Sequence, residues 1–268
     1  MTTFRKTIAG FLACIASGAL LVACVTVPDS DRKALRFLPD GQMNALGENA
    51  FKDILSKEKI SSDPKLNEMV TRIGRRIADA SGAKFKWEFK VIDNPKMVNA
   101  FCLPGGKVAV YTGILPVAQN EAALAAIMGH EVAHATARHG AERMSQAIAM
   151  QTGMVAADVA LRDSKSRLPI LAALGLGAQF GALLPYSRLH ETEADTIGLK
   201  YMAKAGYDPA EAPELWVRMG KKSGGAPPEF MSTHPNPVNR TKALRDEIPK
   251  VMGYYNASQK QPSTPIQI

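Results

Sequence analysis

Residues 120–134 read NEAALAAIMGHEVAH, and this stretch indicates the fold more strongly than any other part of the sequence. Its first two residues suit the start of a helix, because asparagine can cap a helix and glutamate favours the first turn. The apolar residues that follow continue a helical pattern. On such a helix His130 and His134 lie one turn apart, so both imidazoles project from one face toward one point.

The spacing of these two histidines is typical of a metal site. Two neutral imidazoles one turn apart can share a zinc ion. Glu131 lies beside them without being a third ligand from the same face, which suits a general base that takes a proton from metal-activated water. The alternative is a pair of partly exposed histidines on an amphipathic helix.

A second stretch, ETEAD at residues 191–195, offers a third ligand, which a catalytic zinc ion needs. Glu191 and Asp195 are spaced i, i+4, so one helix face presents both carboxylates. We expect Glu191 to bind the metal and Asp195 to accept a hydrogen bond from a liganding histidine. Glu193 points elsewhere on such a helix and is expected to be solvated. The alternative is an acidic helix end with surface carboxylates.

The rest of the chain predicts a mainly helical α+β domain with one small sheet. Helices are predicted over residues 39–55 and from Asp63-Pro64 to Ser81-Gly82, and helical patterns dominate beyond Pro116. The strand signals lie at residues 87–92, 98–103 and 107–114, and Pro104-Gly105-Gly106 is a hairpin turn between the last two. The polar tail over residues 255–268 is predicted to be disordered.

The N-terminus has the pattern of an export signal. Arg5 and Lys6 precede an uncharged apolar run over residues 8–22, which is short for a membrane span. The run ends in LVAC at residues 21–24, which resembles the lipobox of bacterial lipoproteins. We therefore expect a signal peptide over residues 1–23, lipidation of Cys24, and a tether over residues 24–38. The alternative is an ordinary signal peptide cut near the same place, with the cysteine unmodified.

Composition and charge exclude several classes of protein. The 268 residues are 46% hydrophobic and 22% charged, which fits a globular chain and excludes a disordered one. Three cysteines are too few for a disulfide scaffold, and Cys102 is expected to be a buried thiol. Removal of Arg5 and Lys6 with the signal peptide lowers the formal net charge from +8 to +6. The chain is predicted to be exported, and its sequence shows no surface of interleaved aromatic and basic residues. Both features disfavour nucleic acid as a partner.

Residues 168–184 form a second apolar stretch. Its length and a glutamine within it disfavour a membrane span. A buried helix or a helical segment that covers the active site is the preferred interpretation.

Four groups of residues resemble the sequence motifs of a zinc metallopeptidase family. This family includes the CAAX prenyl proteases, the membrane protease HtpX, and soluble periplasmic lipoproteins such as the β-barrel assembly-enhancing protease and LoiP. The matching residues are Asn99-Ala100-Phe101 with Leu103-Pro104-Gly105-Gly106, Gly129 to His134, Ser187-Arg188 with Glu191 to Asp195, and Ser232-Thr233-His234-Pro235 with Arg240. The long transmembrane helices of the first two members have no counterpart here, so the resemblance is to the soluble periplasmic branch.

This resemblance implies a zincin-type (gluzincin) domain over residues 39–254, with the small sheet beside the active-site helix. It implies one Zn²⁺ per chain on His130, His134 and Glu191, with Glu131 as the catalytic base. It also selects Glu191 over Glu193 as the third ligand.

The resemblance extends to two further side chains and one strand. His234 matches a histidine that in periplasmic relatives can hold the fourth zinc position and keep the enzyme latent. It can alternatively stabilise the oxyanion of the reaction or be a structural loop residue. Arg240 is expected to orient substrate or to brace Glu191 or Asp195. His139 and His190 are interpreted as non-ligands.

The hairpin offers a place for substrate. An edge strand beside zinc can pair with an extended substrate through main-chain hydrogen bonds, and residues 99–103, with Asn99, Ala100 and Phe101 foremost, or residues 107–111 are the candidates. The alternative is a hairpin that only packs the active-site helix.

Together these features predict a zinc-dependent endopeptidase that is lipid-anchored in the periplasm of a bacterium. Val25 stands where an aspartate would favour retention in the inner membrane, which implies the inner leaflet of the outer membrane. The expected substrates are unfolded or misassembled envelope proteins, and outer-membrane assembly machinery is a further candidate partner. The alternative is a non-proteolytic, zinc-containing chaperone or assembly factor.

Overall fold

The computed structural model describes residues 24–160, 187–221, 229–234 and 239–267. The predicted signal peptide and the apolar stretch over residues 168–184 lie outside these ranges. In chain order the elements are β1 (Cys24–Thr26), β2 (Lys33–Leu35), α1 (Asp40–Lys57), α2 (Pro64–Ser81), β3 (Glu88–Ile92), β4 (Ala100–Leu103), β5 (Lys107–Tyr111), a 3₁₀ turn (Thr112–Ile114), α3 (Leu115–Ala118), α4 (Glu121–Thr136), α5 (His139–Ala160), α6 (Arg188–Lys204), α7 (Glu211–Lys221), α8 (Glu229–Thr233) and α9 (Arg240–Ala257).

The chain divides into two compact units. Among the described residues, the smaller comprises residues 24–39 and 141–160, and the larger comprises residues 40–140 and the described residues from 187 onward. Within the described residues, no helix combines the length and the apolar character needed to cross a membrane.

The described part of the smaller unit contains a hairpin that the sequence did not indicate. Strands β1 and β2 pair antiparallel, with Cys24 opposite Leu35. Arg32, in the turn between them, donates two hydrogen bonds at 2.9 and 2.8 Å to the carboxylate of Glu142 on α5. Residues 24–38 were expected to be a tether, and the partners that order them are too distant in sequence to be recognised locally. The side chain of Cys24 is exposed, and its lipidation stays a prediction.

In the larger unit, α1 and α2 confirm the predicted helices. Helix α2 begins after Asp63, whose Oδ1 accepts hydrogen bonds from the backbone N–H groups of Lys65 and Leu66. It ends at Gly82, which has φ = 68° in the left-handed region that favours glycine. The predicted start and stop signals therefore correspond to real caps.

The second sheet has three strands in the order β3-β5-β4. Strand β5 pairs in parallel with β3 and antiparallel with β4, and every residue of β5 is buried. The predicted hairpin between β4 and β5 is confirmed, and its turn has Gly105 at φ = 83° and Gly106 at φ = 84°. Since β5 is central, residues 107–111 were the wrong candidate for an edge that binds substrate, and β4 is the edge on that side.

The tail is ordered, contrary to the expectation for residues 255–268. Helix α9 runs to Ala257, and the described residues after it are hydrogen-bonded to the start of α4. The backbone N–H of Glu121 donates to Thr264 O at 3.0 Å, and the N–H of Ile266 donates to Gln119 O at 2.8 Å. These backbone bonds give a polar segment a fixed place that its composition does not reveal.

Helices α4 and α6 approach each other so closely that only glycine fits at their crossing. A Cβ atom on Gly129 would lie 2.9 Å from Gly198 O, and a Cβ atom on Gly198 would lie 2.8 Å from the backbone nitrogen of His130. These are backbone atoms, which cannot move aside without shifting a whole helix. The two glycines therefore set the distance between the two helices that carry the candidate site.

We expect Gly198→Ala to lower the free energy of unfolding by about 1–3 kcal/mol, because the added methyl group overpacks the crossing. Gly253→Ala in α9 is the matched control, since a Cβ atom there meets nothing within 4 Å. The control should gain up to about 1 kcal/mol of helix stability. Denaturant unfolding of both variants is the measurement, and equal stability of the two would contradict the role of the crossing.

Candidate metal centre

Helices α4 and α6 bring three predicted ligands together. On α4, the Nε2 atoms of His130 and His134 lie 3.0 Å apart. Ser187 caps α6 by accepting a hydrogen bond from the backbone N–H of His190, which places Glu191 in the first turn. The Glu191 carboxylate then lies 3.3 Å from the Nε2 atom of each histidine.

His234 completes this group from the end of α8. Its ring centroid lies 5.2 Å from the ring centroids of both His130 and His134, and its Nε2 lies 3.4 Å from Glu131 Oε1. The other ring nitrogen, Nδ1, lies 3.1 Å from the carbonyl oxygen of Phe230. A carbonyl can only accept, so Nδ1 carries the proton and Nε2 of the neutral ring carries a lone pair that faces the group.

The donor set fits a metal ion. His130, His134, Glu191 and His234 are buried, and one ligand atom from each lies within 4.8 Å of all the others. Ligands at 2.0–2.1 Å from a tetrahedral zinc ion are about 3.3 Å from one another, close to the separations between the first three residues. Glu191 Oε1 is buried and accepts no hydrogen bond of good geometry from the described residues. A cation at the centre of the group would satisfy it.

Asp195 and Arg240 lie directly behind the group. His130 Nδ1 lies 2.9 Å from Asp195 Oδ1, so the imidazole donates to this carboxylate and turns Nε2 toward the group. Arg240 Nη2 donates to the same oxygen at 2.6 Å, and Nη1 lies 3.4 Å from Glu191 Oε2. The guanidinium is buried and lies over the ring of Trp216, 3.4 Å from its centroid. Arg240 thus contacts both of the carboxylates that were candidates for bracing, Glu191 and Asp195.

The charges in the group shift the pKa values of its members in opposite directions. Burial lowers the pKa of His130, but the Glu191 and Asp195 carboxylates outweigh burial and raise it to about 9. Burial raises the pKa of Glu191, but His130 and His134 outweigh it and hold this pKa well below its usual range. Burial holds the pKa of His134 well below its usual value and lowers that of His234 to about 4. His134 and His234 are therefore neutral at pH 7.

Glu131 differs from Glu191 although both carboxylates are buried in the same pocket. Burial raises the pKa of Glu131 to about 8, and the Glu191 charge adds to the rise while His130 opposes it. Its Oε1 accepts no hydrogen bond from the described residues. The backbone of Cys102 on β4 also opposes the rise in pKa, which places the edge strand next to this carboxylate. A carboxyl group with such a pKa can take up and release a proton near neutral pH.

The expectation that Glu193 is solvated was wrong. Glu193 is buried, and its Oε2 lies 2.9 Å from His139 Nε2. The other nitrogen of His139, Nδ1, lies 2.8 Å from His134 Nδ1. His139 and His190 stay outside the group of four, as expected for non-ligands, and their rings stack with centroids 4.4 Å apart.

The turn that brings His139 back to His134 has no signal in the sequence. Helix α4 ends at Thr136, and Arg138 adopts φ = 61° in the left-handed region before α5 begins. Arginine rarely adopts this conformation, whereas a glycine or asparagine there would have indicated the turn. An ion pair between Arg138 and Asp40 holds the turn in place.

The predicted substrate strand lies at the edge of the sheet. Ala100 and Phe101 belong to β4, which pairs on one side with β5. Asn99 precedes the strand, and its side-chain oxygen accepts a hydrogen bond from the N–H of Ala100 at 2.9 Å. A role of these residues in binding substrate stays a prediction.

Residues 64–248 match the profile of Peptidase family M48, and this range contains every member of the group of four. The chain belongs to family M48. The predicted membership of a zinc metallopeptidase family is thus confirmed, as is a mainly helical α+β fold with a zincin-type domain.

Three relatives show how far the similarity extends. "Mitochondrial metalloendopeptidase OMA1" of Schizosaccharomyces pombe is 37% identical over 232 residues, which cover 84% of this chain and 66% of that protein. The Arabidopsis thaliana protein of the same name is 41% identical over 159 residues, 59% of this chain and 31% of that protein. "Beta-barrel assembly-enhancing protease" of Escherichia coli K12 is 28% identical over 229 residues, 82% of this chain and 47% of that protein. The chain spans between about a third and two thirds of the length of these relatives.

We expect metal binding to release protons and to strengthen as the pH rises. After a chelator has stripped the protein, His130 with its pKa of about 9 is protonated at pH 6–8, and Nε2 must lose a proton before it can bind metal. The apparent affinity for Zn²⁺ should therefore rise about tenfold per pH unit in this range for each proton released. Calorimetry in buffers of different ionisation enthalpy measures the release, and an affinity independent of pH would show that His130 is already neutral.

Proposed function

We propose that this protein is a zinc-dependent endopeptidase of the bacterial cell envelope that cleaves unfolded or misassembled envelope proteins. The observation that carries the proposal is a buried group of three imidazoles and one carboxylate with a second carboxylate, Glu131, at its side. Membership of family M48 supports the same activity.

Zinc is the metal proposed for this donor set. His130, His134 and Glu191 supply two imidazole nitrogens and a carboxylate, which is a common set for catalytic zinc sites. Imidazole ligands disfavour magnesium and calcium, which take oxygen ligands. A bound zinc ion would supply Lewis-acid polarisation of a peptide carbonyl and would lower the pKa of water.

Glu131 is the residue that moves protons in the proposed reaction. It accepts a proton from the water that attacks the peptide carbonyl and passes this proton to the leaving amine. Burial, which raises the pKa of Glu131, allows both steps, because the carboxyl group can hold a proton at neutral pH. Asp195 and Arg240 keep His130 and Glu191 oriented from behind.

His234 is proposed to hold the enzyme latent as a fourth ligand. Its Nδ1 proton is committed to the carbonyl of Phe230, and Nε2 therefore offers a lone pair to the group. A lone pair suits a metal ligand, whereas stabilisation of an oxyanion needs an N–H donor at that position. Displacement of His234 would open the coordination position that a catalytic site requires.

Strand β4 is the proposed binding site for the substrate backbone. It lies at the edge of the sheet, next to Glu131, and includes Ala100 and Phe101. An extended peptide can add to such an edge through main-chain hydrogen bonds, which select weakly among side chains. An unfolded or misassembled protein exposes extended backbone that can bind in this way, which supports quality control as the role.

The N-terminal sequence supports a periplasmic, lipid-anchored location. A basic pair, an apolar run and Cys24 form the pattern of a lipoprotein signal, and Val25 supports the outer membrane. The bacterial relatives are named beta-barrel assembly-enhancing proteases, and this name supports β-barrel assembly machinery as a partner. The OMA1 relatives are named as mitochondrial, so sequence similarity alone does not select the compartment.

One observation favours a second function. With His234 present the donor set has four members, as structural zinc sites do, and a permanently closed site would leave no position for water. The second candidate is therefore a non-proteolytic, zinc-containing chaperone or assembly factor.

We expect Glu131→Gln to retain one Zn²⁺ per chain and to lose at least about a hundredfold in the rate of cleavage of an unfolded protein such as casein, because the general base is lost.

We expect His234→Ala to cleave casein faster than the wild type, because the fourth ligand is removed. Metal analysis and gel-based proteolysis are the measurements. If wild type and His234→Ala both bind zinc and neither cleaves, the second function is favoured.

We expect the mature protein to begin at a lipid-modified Cys24. Mass spectrometry of the N-terminal peptide from protein expressed in a bacterium should show the mass of acyl chains on this cysteine, and Cys24→Ser should move the protein from the membrane to the soluble fraction. An unmodified Cys24 in a membrane-free protein would contradict the anchor without affecting the peptidase proposal.

A further inference from the structure

We propose that His139 and Glu193 are positioning residues that fix the tautomer and the orientation of His134, so that its Nε2 lone pair faces the metal site. This inference rests on the proposed function in that it assumes a metal ion bound by His134. It concerns two buried side chains that are not among the four candidate ligands and that the proposed reaction does not use.

The two residues form a chain of contacts behind His134. His139 Nδ1 lies 2.8 Å from His134 Nδ1, and His139 Nε2 lies 2.9 Å from Glu193 Oε2. His139 is completely buried, and its ring stacks on that of His190. The position of the His139 ring is therefore well defined, and each of its nitrogens has a specific partner.

The other two histidines of the group show which tautomer a metal ligand needs here. His130 has a carboxylate at Nδ1, from Asp195, and His234 has a backbone carbonyl, from Phe230. Arg240 Nη2 also lies 3.2 Å from His130 Nδ1, but it donates to Asp195 Oδ1 at 2.6 Å. The carboxylate and the carbonyl can only accept, so each draws the proton of its neutral histidine to Nδ1 and leaves Nε2 free to bind metal.

His134 is the exception, because its partner at Nδ1 is another histidine. A neutral imidazole has one N–H and one lone pair, so His139 can face His134 with either. If His139 presents its lone pair, His134 carries its proton on Nδ1 and Nε2 can bind metal. If His139 presents an N–H, the proton of neutral His134 moves to Nε2, and this nitrogen cannot bind.

Glu193 decides between these two arrangements. A zinc ion on Nε2 of His134 requires the proton of His134 on Nδ1, so His139 must present a lone pair there. Glu193 Oε2, 2.9 Å from His139 Nε2, is then the acceptor for the remaining proton of His139. The lone pair of His139 then lies on Nδ1 and faces His134. His134 therefore donates a hydrogen bond to His139, and His139 donates one to Glu193. The Glu193 carboxylate sets the direction of both hydrogen bonds.

The local fold supports this arrangement from two sides. Arg138, in the left-handed conformation, lies between α4 and α5, and His139 at the start of α5 contacts His134 on α4. Helix α6 supplies both Glu191, which faces the ligand atoms, and Glu193, which faces His139. One short helical segment thus contacts His134 from its metal side and, through His139, from the opposite side.

The first test measures zinc affinity by competition with a chelator in four variants. His139→Leu and Glu193→Gln should each weaken zinc binding, His139→Leu by about 10–100-fold, the range found when the partners of metal ligands are removed. His139→Asn should recover part of the loss, because its side-chain oxygen can occupy the position of Nδ1 and accept from His134. Glu214→Gln, at an exposed surface ion pair, is the control for loss of a carboxylate and should bind like the wild type.

The second test reads the tautomer directly in the zinc-loaded wild type. Nitrogen NMR of the histidine rings should show His139 protonated on Nε2 and unprotonated on Nδ1. A proton on Nδ1 of His139 would overturn the inference. Circular dichroism of the metal-stripped variants identifies any that has failed to fold, and in that case Glu193→Gln and the NMR measurement still decide.

These tests separate the inference from the proposed function. If the wild type binds zinc and cleaves casein but His139→Leu and Glu193→Gln bind zinc as tightly as the wild type, the inference is overturned and the function stands. If the wild type binds no zinc, the proposed function fails and the inference fails with it.

Discussion

The structure depends on one constraint, which is that several electron-pair donors must face one another in a buried pocket. Burial of polar atoms is costly unless each has a partner, and here one ligand atom from each of four residues lies within 4.8 Å of the others. Protons satisfy this arrangement only in part. Without metal His130 can hold a second proton on Nε2, but Nε2 of neutral His234 keeps a lone pair because its proton lies on Nδ1, toward Phe230. A cation is the partner that all the converging atoms share. The pocket is therefore built from its outer side, by the acceptors that turn each imidazole inward.

The same constraint accounts for features of the fold at a distance from the ligands. Two helices must approach closely enough for their side chains to share an ion, and glycines at positions 129 and 198 allow this approach. The negative charges of Asp195 and Glu191 need compensation in a buried site, and Arg240 supplies it from the start of α9 while it packs on Trp216. The start of α4 is held by backbone hydrogen bonds from the chain after α9. The segments that close the fold thus also fix the helix that carries His130.

Sequence patterns predicted what is encoded over a few residues. The caps of α2, the hairpin turn at Gly105 and Gly106, and the one-turn spacing of His130 and His134 are local, so the sequence indicates them without knowledge of the fold. Spacing also placed Glu191 and Asp195 on one side of α6.

The errors concern residues whose partners are distant in sequence. Glu193 was expected in solvent because helical periodicity describes only its own helix, and the burial of its side chain depends on the unusual turn at Arg138. The hairpin at residues 24–35 and the ordered C-terminal segment were missed for the same reason.

Glu131 and Glu191 show how position within one pocket assigns chemistry to identical side chains. Both are buried, and burial alone would raise the pKa of both. Glu191 contacts the Nε2 atoms of two histidines, so it remains ionised and acts as a fixed negative charge, which is what a ligand must supply. Glu131 lies at the side of the group, where the Glu191 charge adds to the effect of burial, and its pKa rises to about 8. A group that stays ionised cannot return a proton to a leaving amine, and a group that protonates readily makes a poor ligand. The division of roles between the two glutamates therefore follows from which of them the histidines contact.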